Sequence, residues 1–406
     1  MKNANKILAP VLALTLLAGC GGITIPAGPT GSDDPGKERV QVEKVTPNGL
    51  VLRLLELEGS KNEGENVILS PLSIQMAMAM AANGASGQAA EDVEKLLGMD
   101  TATLNAMLSA YLKREDDTLS IANSMWFNES LDHLVNGDFK DTLKREYQAG
   151  EGSFLPGDPA SARAINDWVK EKTKGRIDSI VDADSLSRDM LAILINALHF
   201  DGRWADPFEK DQVTDGLFTA GTEKQEARFM CQWVDDYYET DYAVGFSKAY
   251  EDGYEFVAVL PKEEGGVEPD KLDLDAFLSS RTREYEVSIR IPKFELEYAT
   301  SLSDTLKALG LERLFESGGL NGVLTGEAVA GGSEAHISDV IHKTYIRMYE
   351  EGTEAAAVTG VMVECTSMAM PRQVKQVWLD RPFAFFIRDT SCDQIVFCGV
   401  IHSLEG

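Results

Sequence analysis

The segment that most constrains this chain lies near its end, where residues 350–371 read Glu-Glu-Gly-Thr-Glu-Ala-Ala-Ala-Val-Thr-Gly-Val-Met-Val-Glu-Cys-Thr-Ser-Met-Ala-Met-Pro. Every second residue from Thr353 (Thr353, Ala355, Ala357, Thr359, Val361, Val363) is small or β-branched, while Glu354 and Glu364 fall on the other face. A period of two marks a half-buried strand. Yet the run sits between two stronger strand candidates, residues 343–349 and 374–379, and no Asn-Gly or Asp-Gly turn folds it back onto either. Connectors of this length are uncommon inside a compact domain and are usually functional or disordered. Two readings follow: an alanine-rich surface linker, or a segment with strand chemistry held outside a sheet that it can enter later.

Other segments separate these readings. Asn66-Val-Ile-Leu-Ser-Pro-Leu-Ser-Ile74, Asn196-Ala-Leu-His-Phe-Asp-Gly-Arg-Trp204 followed by Pro207-Phe208, Ile291-Pro-Lys-Phe294, Ile337-Ser-Asp-Val-Ile-His-Lys343 and Arg381-Pro-Phe-Ala-Phe-Phe386 occur in that order. They resemble the signatures of the serpin family, and residues 350–359 resemble the hinge of its reactive-centre loop. The resemblance runs from about residue 45 to the end. It implies an α+β fold of about eight to nine helices on three β-sheets with an exposed loop over about residues 350–373. It also implies a suicide-substrate inhibitor of serine, and also cysteine, endopeptidases that traps the acyl-enzyme when the cut loop enters the main sheet.

Carried over by matching residues, the resemblance makes Glu350, Gly352, Thr353, Glu354, Ala355, Ala356, Ala357 and Thr359 the hinge. Ser70, Ser73, Asn196 and His342 become the shutter beneath the middle of the main sheet. Trp204 and Lys293 fall in the breach at its top, with Lys293 near Glu350. Counting about fourteen residues from Gly352, the family interval, puts the reactive bond at Thr366-Ser367. Counting back from Pro382 lands about five residues later, near Pro371, so the loop is long on its C-terminal side. Cys365, Met368, Met370 and Arg372 stand as alternative bait. Thr366 suits elastase-like or broad-specificity enzymes with small pockets. The alternative function is a non-inhibitory surface lipoprotein of the same fold acting as a binding module, although such relatives tend to lose the small-residue hinge.

The first twenty residues carry Lys2 and Lys6, then an apolar stretch over residues 7–17, then Leu-Ala-Gly-Cys ending at Cys20. This is too short for a comfortable membrane span and reads as a secretory signal. Leu-Ala-Gly-Cys is the bacterial lipobox pattern, which implies cleavage before Cys20 and acylation there. Residues 1–19 are then a lipoprotein signal peptide, and 20–44, rich in Pro and Gly, an acylated tether. Residues 45–406 form one domain with no internal linker or repeat. The expected location is the bacterial cell envelope, at the outer membrane, periplasmic or surface-exposed.

A formal net charge of −28 argues against nucleic acid and anionic membrane surfaces as partners. Residues 91–114 are too acidic for a heparin-type helix. Membrane contact is expected through the lipid alone. No Gly-x-Ser-x-Gly, His-Glu-x-x-His or phosphate-binding glycine loop occurs, so no catalytic residues are assigned. Ser70 precedes Pro71 at a helix start, an ordinary capping position. Cys231, Cys365, Cys392 and Cys398 lack zinc spacing with histidine, so neither metal nor cofactor is expected, and their pairing stays open.

Overall fold

The strand β5 (Met190–Phe200), Met-Leu-Ala-Ile-Leu-Ile-Asn-Ala-Leu-His-Phe, is buried at every position, as a nearly continuous apolar run requires when both faces of a sheet are covered. The computed structural model of the chain describes residues 11–20, 46–61, 63–114, 118–353 and 372–405. β5 lies inside a six-stranded main sheet ordered β13 (Phe294–Ser301), β14 (Ser333–Met348), β1 (Val11–Cys20), β5, β3 (Leu119–Asn128), β4 (Gly150–Phe154). One face packs on Ile165 and Val169 of the helix α2 (Pro159–Lys172), through Ile193, Ile195 and Ala197. The other face, through Ala192, Leu194 and Leu198, joins the large core.

Within that core lies α1 (Pro71–Ala82), against β5 and β18 (Gln394–Ile401). The Ser70 side chain accepts from the Ser73 N–H, and Pro71 opens the first turn, where its missing N–H costs nothing. Every residue of α1 except Gln75 is buried, so the helix has no polar face to show to water.

A second sheet runs β2 (Val67–Leu69), β18, β17 (Phe383–Asp389), β11 (Tyr254–Pro261), β10 (Ala243–Ala249), β9 (Tyr237–Glu239). A third runs β16 (Gln373–Trp378), β12 (Tyr285–Pro292), β8 (Glu223–Val234), β7 (Val213–Ala220). A two-stranded ribbon joins β15 (Gly352–Thr353) to β6 (Gly202–Arg203). With nine α-helices among the described residues, the fold is the mixed α+β architecture that the resemblance implies.

The sequence reading gave residues 1–19 to a leader and did not anticipate β1. The structure sets Val11–Cys20 between β5 and β14, antiparallel to both. Val11 pairs with Ala197 and Lys343, and Cys20 with Ser333. The ladder shifts register near Leu16 on both sides. Among the described residues no helix is long and apolar enough to cross a membrane. Cys231, Cys392 and Cys398 are free thiols, with Cys392 in the turn before β18 and Cys398 within that strand. Cys365 lies outside the described residues.

Candidate strand-acceptor site and loop hinge

A buried polar cluster links the start of α1 to β3, β5 and β14. The Ser70 N–H donates to His342 Nε2 at 3.2 Å, and the Ser70 hydroxyl donates to Val396 O at 2.8 Å. The Ser73 hydroxyl donates to Asn196 Oδ1. Asn196 Nδ2 donates to Asn123 Oδ1 at 2.8 Å, and Asn123 Nδ2 to Tyr147 O at 2.8 Å. Ser70, Ser73, Asn196 and His342 are thus brought together, all fully buried. Burial pushes the His342 imidazole down to about 3, so it is neutral and accepts at Nε2. His342 Nδ1, which then carries the proton, has no hydrogen-bond partner among the described residues, while the bonds that are made fix the spacing of the elements that they join. Asn123 completes the cluster, and sequence reasoning missed it. A single Asn in a strand carries no periodic signal.

At the other end of β14 the chain turns back on itself. Tyr349 and Gly352 exchange two backbone hydrogen bonds of 3.2 Å, closing a hairpin over Glu350 and Glu351. Each carbonyl of this turn has a donor. The indole N–H of Trp204 reaches Tyr349 O at 3.1 Å, the Trp204 backbone N–H reaches Glu351 O at 3.1 Å, and the Phe208 N–H reaches Glu350 O at 2.9 Å. Lys293 Nζ lies 2.6 Å from Glu350 Oε1. Burial pushes the Glu350 carboxyl up, but the Lys293 ammonium outweighs it and holds the group below its usual range. Both side chains keep about a quarter of their exposure, so the pair is worth about 0–1 kcal/mol.

The first loop residues already pair as a strand, in the ribbon with β6. Gly352 pairs with Arg203 and Thr353 with Gly202. Thr353 is fully buried, its hydroxyl 2.9 Å from the Tyr250 hydroxyl. Tyr250 in turn stacks on Trp204 at 4.3 Å. Gly352 has φ +142°, and a Cβ there would stand 2.2 Å from Gly202 O, so both backbone and space demand glycine. Tyr250 escaped sequence reasoning, as did Lys248, whose Nζ donates to Asp206 O at 2.6 Å beside the Phe208 ring. Burial lowers the Lys248 ammonium to about 8, against the opposing pull of Asp206.

The far end of the loop is also fixed. Arg372, one of the alternative bait residues, has its guanidinium 2.6 Å from Asp235 Oδ1 and 3.4 Å from Arg283 O, just before β16 pairs in parallel with β12. Glu354, Ala355, Ala356, Ala357, Thr359, Cys365, Thr366, Ser367, Met368 and Met370 lie outside the described residues.

Three sheets, nine α-helices among the described residues, and a long connection anchored at β15 on one side and at Arg372 on the other define a mixed α+β class. The family model described as Serpin (serine protease inhibitor) matches residues 46–404, and the chain belongs to the serpin family. It is 33% identical over 382 residues to Iripin-2 of Ixodes ricinus, covering 88% of this chain and 92% of that protein. It is 30% identical over 363 residues to a leukocyte elastase inhibitor of Xenopus tropicalis, covering 83% and 93%. Among solved structures it is similar to the thermophilic serpin tengpin in its native state, with TM-score 0.74, 30% identity, and 90% and 97% of the two chains covered.

Proposed function

We propose that the processed chain, freed of residues 1–19, is a suicide-substrate inhibitor of serine endopeptidases of elastase-like or broad specificity, with cysteine endopeptidases as a second target class. The chain itself catalyses nothing. The target's serine Oγ attacks the Thr366 carbonyl carbon, the Thr366–Ser367 amide breaks, the Ser367 amine leaves with a proton, and Thr366 is held as an ester. The loop, cut from its far anchor, continues the strand begun at Thr353.

The observation that carries this reading is the register at the hinge. Gly352 and Thr353 pair with Arg203 and Gly202, and β6 extends β5. Since 353 + 202 = 555, an unbroken ladder would set residue 365 against Met190 (555 − 365), the first residue of β5. The acceptor strand therefore ends one residue short of Thr366. Directly paired residues of antiparallel strands share a face. Thr359, Val361 and Val363 would then share the α1 side with Asn196, Leu194 and Ala192, a buried face that disfavours charged side chains. At about 0.5–1.5 kcal/mol per bond, a dozen new backbone bonds come to something on the order of 10 kcal/mol before ordering costs. The ester-bound enzyme is carried along the sheet, and a misplacement of about 1 Å can cost its deacylation geometry two orders of magnitude in rate.

Incubation with elastase-, trypsin- and subtilisin-type proteases tests the reading. A denaturant-resistant adduct at the summed mass is the expected result. Clean cleavage, or none, sinks it in favour of a binding module. Mass spectrometry of the C-terminal fragment after denaturation identifies the bond. We also propose that the mature chain is anchored to the bacterial envelope by lipid on Cys20. Fatty-acid labelling should disappear in a Cys20→Ala variant.

A further inference from the structure

Nine residues of the leader, with Cys20, stand where the proposed insertion would put the loop. β15 and β1 run in the same direction relative to their partners, β15 being antiparallel to β6 and β1 to β5, which β6 follows in the chain. The register fixes the overlap. On the ladder that starts at Thr353, residue 358 would pair with Ala197 (555 − 358), and Ala197 is paired with Val11. Residues 358–365 and β1 thus compete for the same stretch of β5, from Ala197 to Met190. On the other flank β1 holds β14 from Ser333 to Lys343. On the same ladder residues 354–357 would fall opposite residues 198–201, outside the stretch of β5 that β1 pairs.

The two segments also agree in phase. Leu12, Leu14 and Leu16 are set opposite Asn196, Leu194 and Ala192. These are the three positions that Thr359, Val361 and Val363 would take. A one-residue slip would exchange the faces of a strand, so a shared phase is a strong condition for one segment to replace the other. The leader meets it with alternating leucines, separated by Ala13 and Thr15.

We propose that the leader, while attached, is an intramolecular plug in the strand-acceptor site, so that the unprocessed chain is cleaved without trapping its protease and removal of residues 1–19 arms it. This rests on the proposed function for its second half only; occupancy of the sheet by the leader stands on the ladder alone. Backbone addition of this kind draws its affinity from main-chain hydrogen bonds and its specificity from alternate side chains. Processing removes nine of the ten paired residues, since only Cys20 stays with the mature chain.

The test uses the full-length chain carrying Cys20→Ala, which blocks processing, beside the same chain with Leu14→Pro added. Proline in a central strand removes a ladder donor and is not tolerated there. A second variant, Leu12→Asp with Leu16→Asp, keeps every backbone N–H and guards against a local misfold. Amide exchange in residues 193–196 and 341–343 should be at least tenfold faster in both variants than in the plugged parent. With an elastase-type protease, the variants should give the stable adduct and the parent only cleaved chain. Equal exchange in parent and variants overturns the plug, as does adduct formed by the parent in the same yield as by the variants. Faster exchange in the variants with no adduct from any chain keeps the plug and sinks the inhibitor reading instead.

Discussion

A buried imidazole that accepts a hydrogen bond sets an acid limit on its surroundings. His342, lowered to about 3 from 6.5, is neutral in the folded chain and takes the Ser70 N–H at Nε2. Between pH 6.5 and 3 the unfolded chain therefore binds the proton and the folded chain does not, so folding stability falls as pH falls through that window. The slope from this one group is at most about 1.4 kcal/mol per pH unit. His342→Gln should flatten this limb relative to the parent, read by urea unfolding at stepped pH, at some cost in stability at neutral pH. Gly352 poses a backbone limit at the same scale. Gly352→Ala has to push the hinge away from Gly202, costing about 1–3 kcal/mol. The amides of Trp204 and Phe208 should then exchange faster, because Glu351 O and Glu350 O no longer meet them.

At the level of elements, β15 is a strand of two residues, which the proposed insertion would lengthen. Thr353→Arg places a charge where the side chain is fully buried against Tyr250, and Ala355→Pro with Ala357→Pro removes donors from the growing ladder. Either change should lower the adduct fraction several-fold and raise the cleaved fraction, measured by denaturing electrophoresis. How far the elements were legible follows from where their information resides. The capping pair Ser70-Pro71 is a local signal, and it led to the right element. β14 is longer than the strand read at residues 343–349, since its first half, with Glu334, His336 and Asp339, is too polar to stand out before its partners are known. Val11–Cys20 was invisible as a strand, because an apolar run that suits a leader suits a central strand equally. Of the site, the hinge glycine and Ser70, Ser73, Asn196 and His342 could be located by motif. Asn123, Tyr250 and Lys248 could not, for each owes its place to a fold contact and to no pattern in the chain.

For the molecule as a whole, the balance lies between an open loop and a filled sheet. If residues 354–365 gain ladders on both sides, the processed chain nicked in its loop should melt higher than the intact processed chain by roughly 10 °C or more, by calorimetry. Nicking without such a rise would mean that no strand was added.

The stretch beyond the proposed reactive bond supplies β16, β17 and β18, and β17 and β18 are interior strands of the second sheet, held between β11 and β2. A cut at residue 366 consequently turns one polypeptide into a tightly assembled heterodimer. It should travel as a single particle through a gel-filtration column yet separate into two bands in detergent. Once its halves are melted apart, recovery becomes a second-order encounter that slows on dilution, unlike that of the unbroken chain.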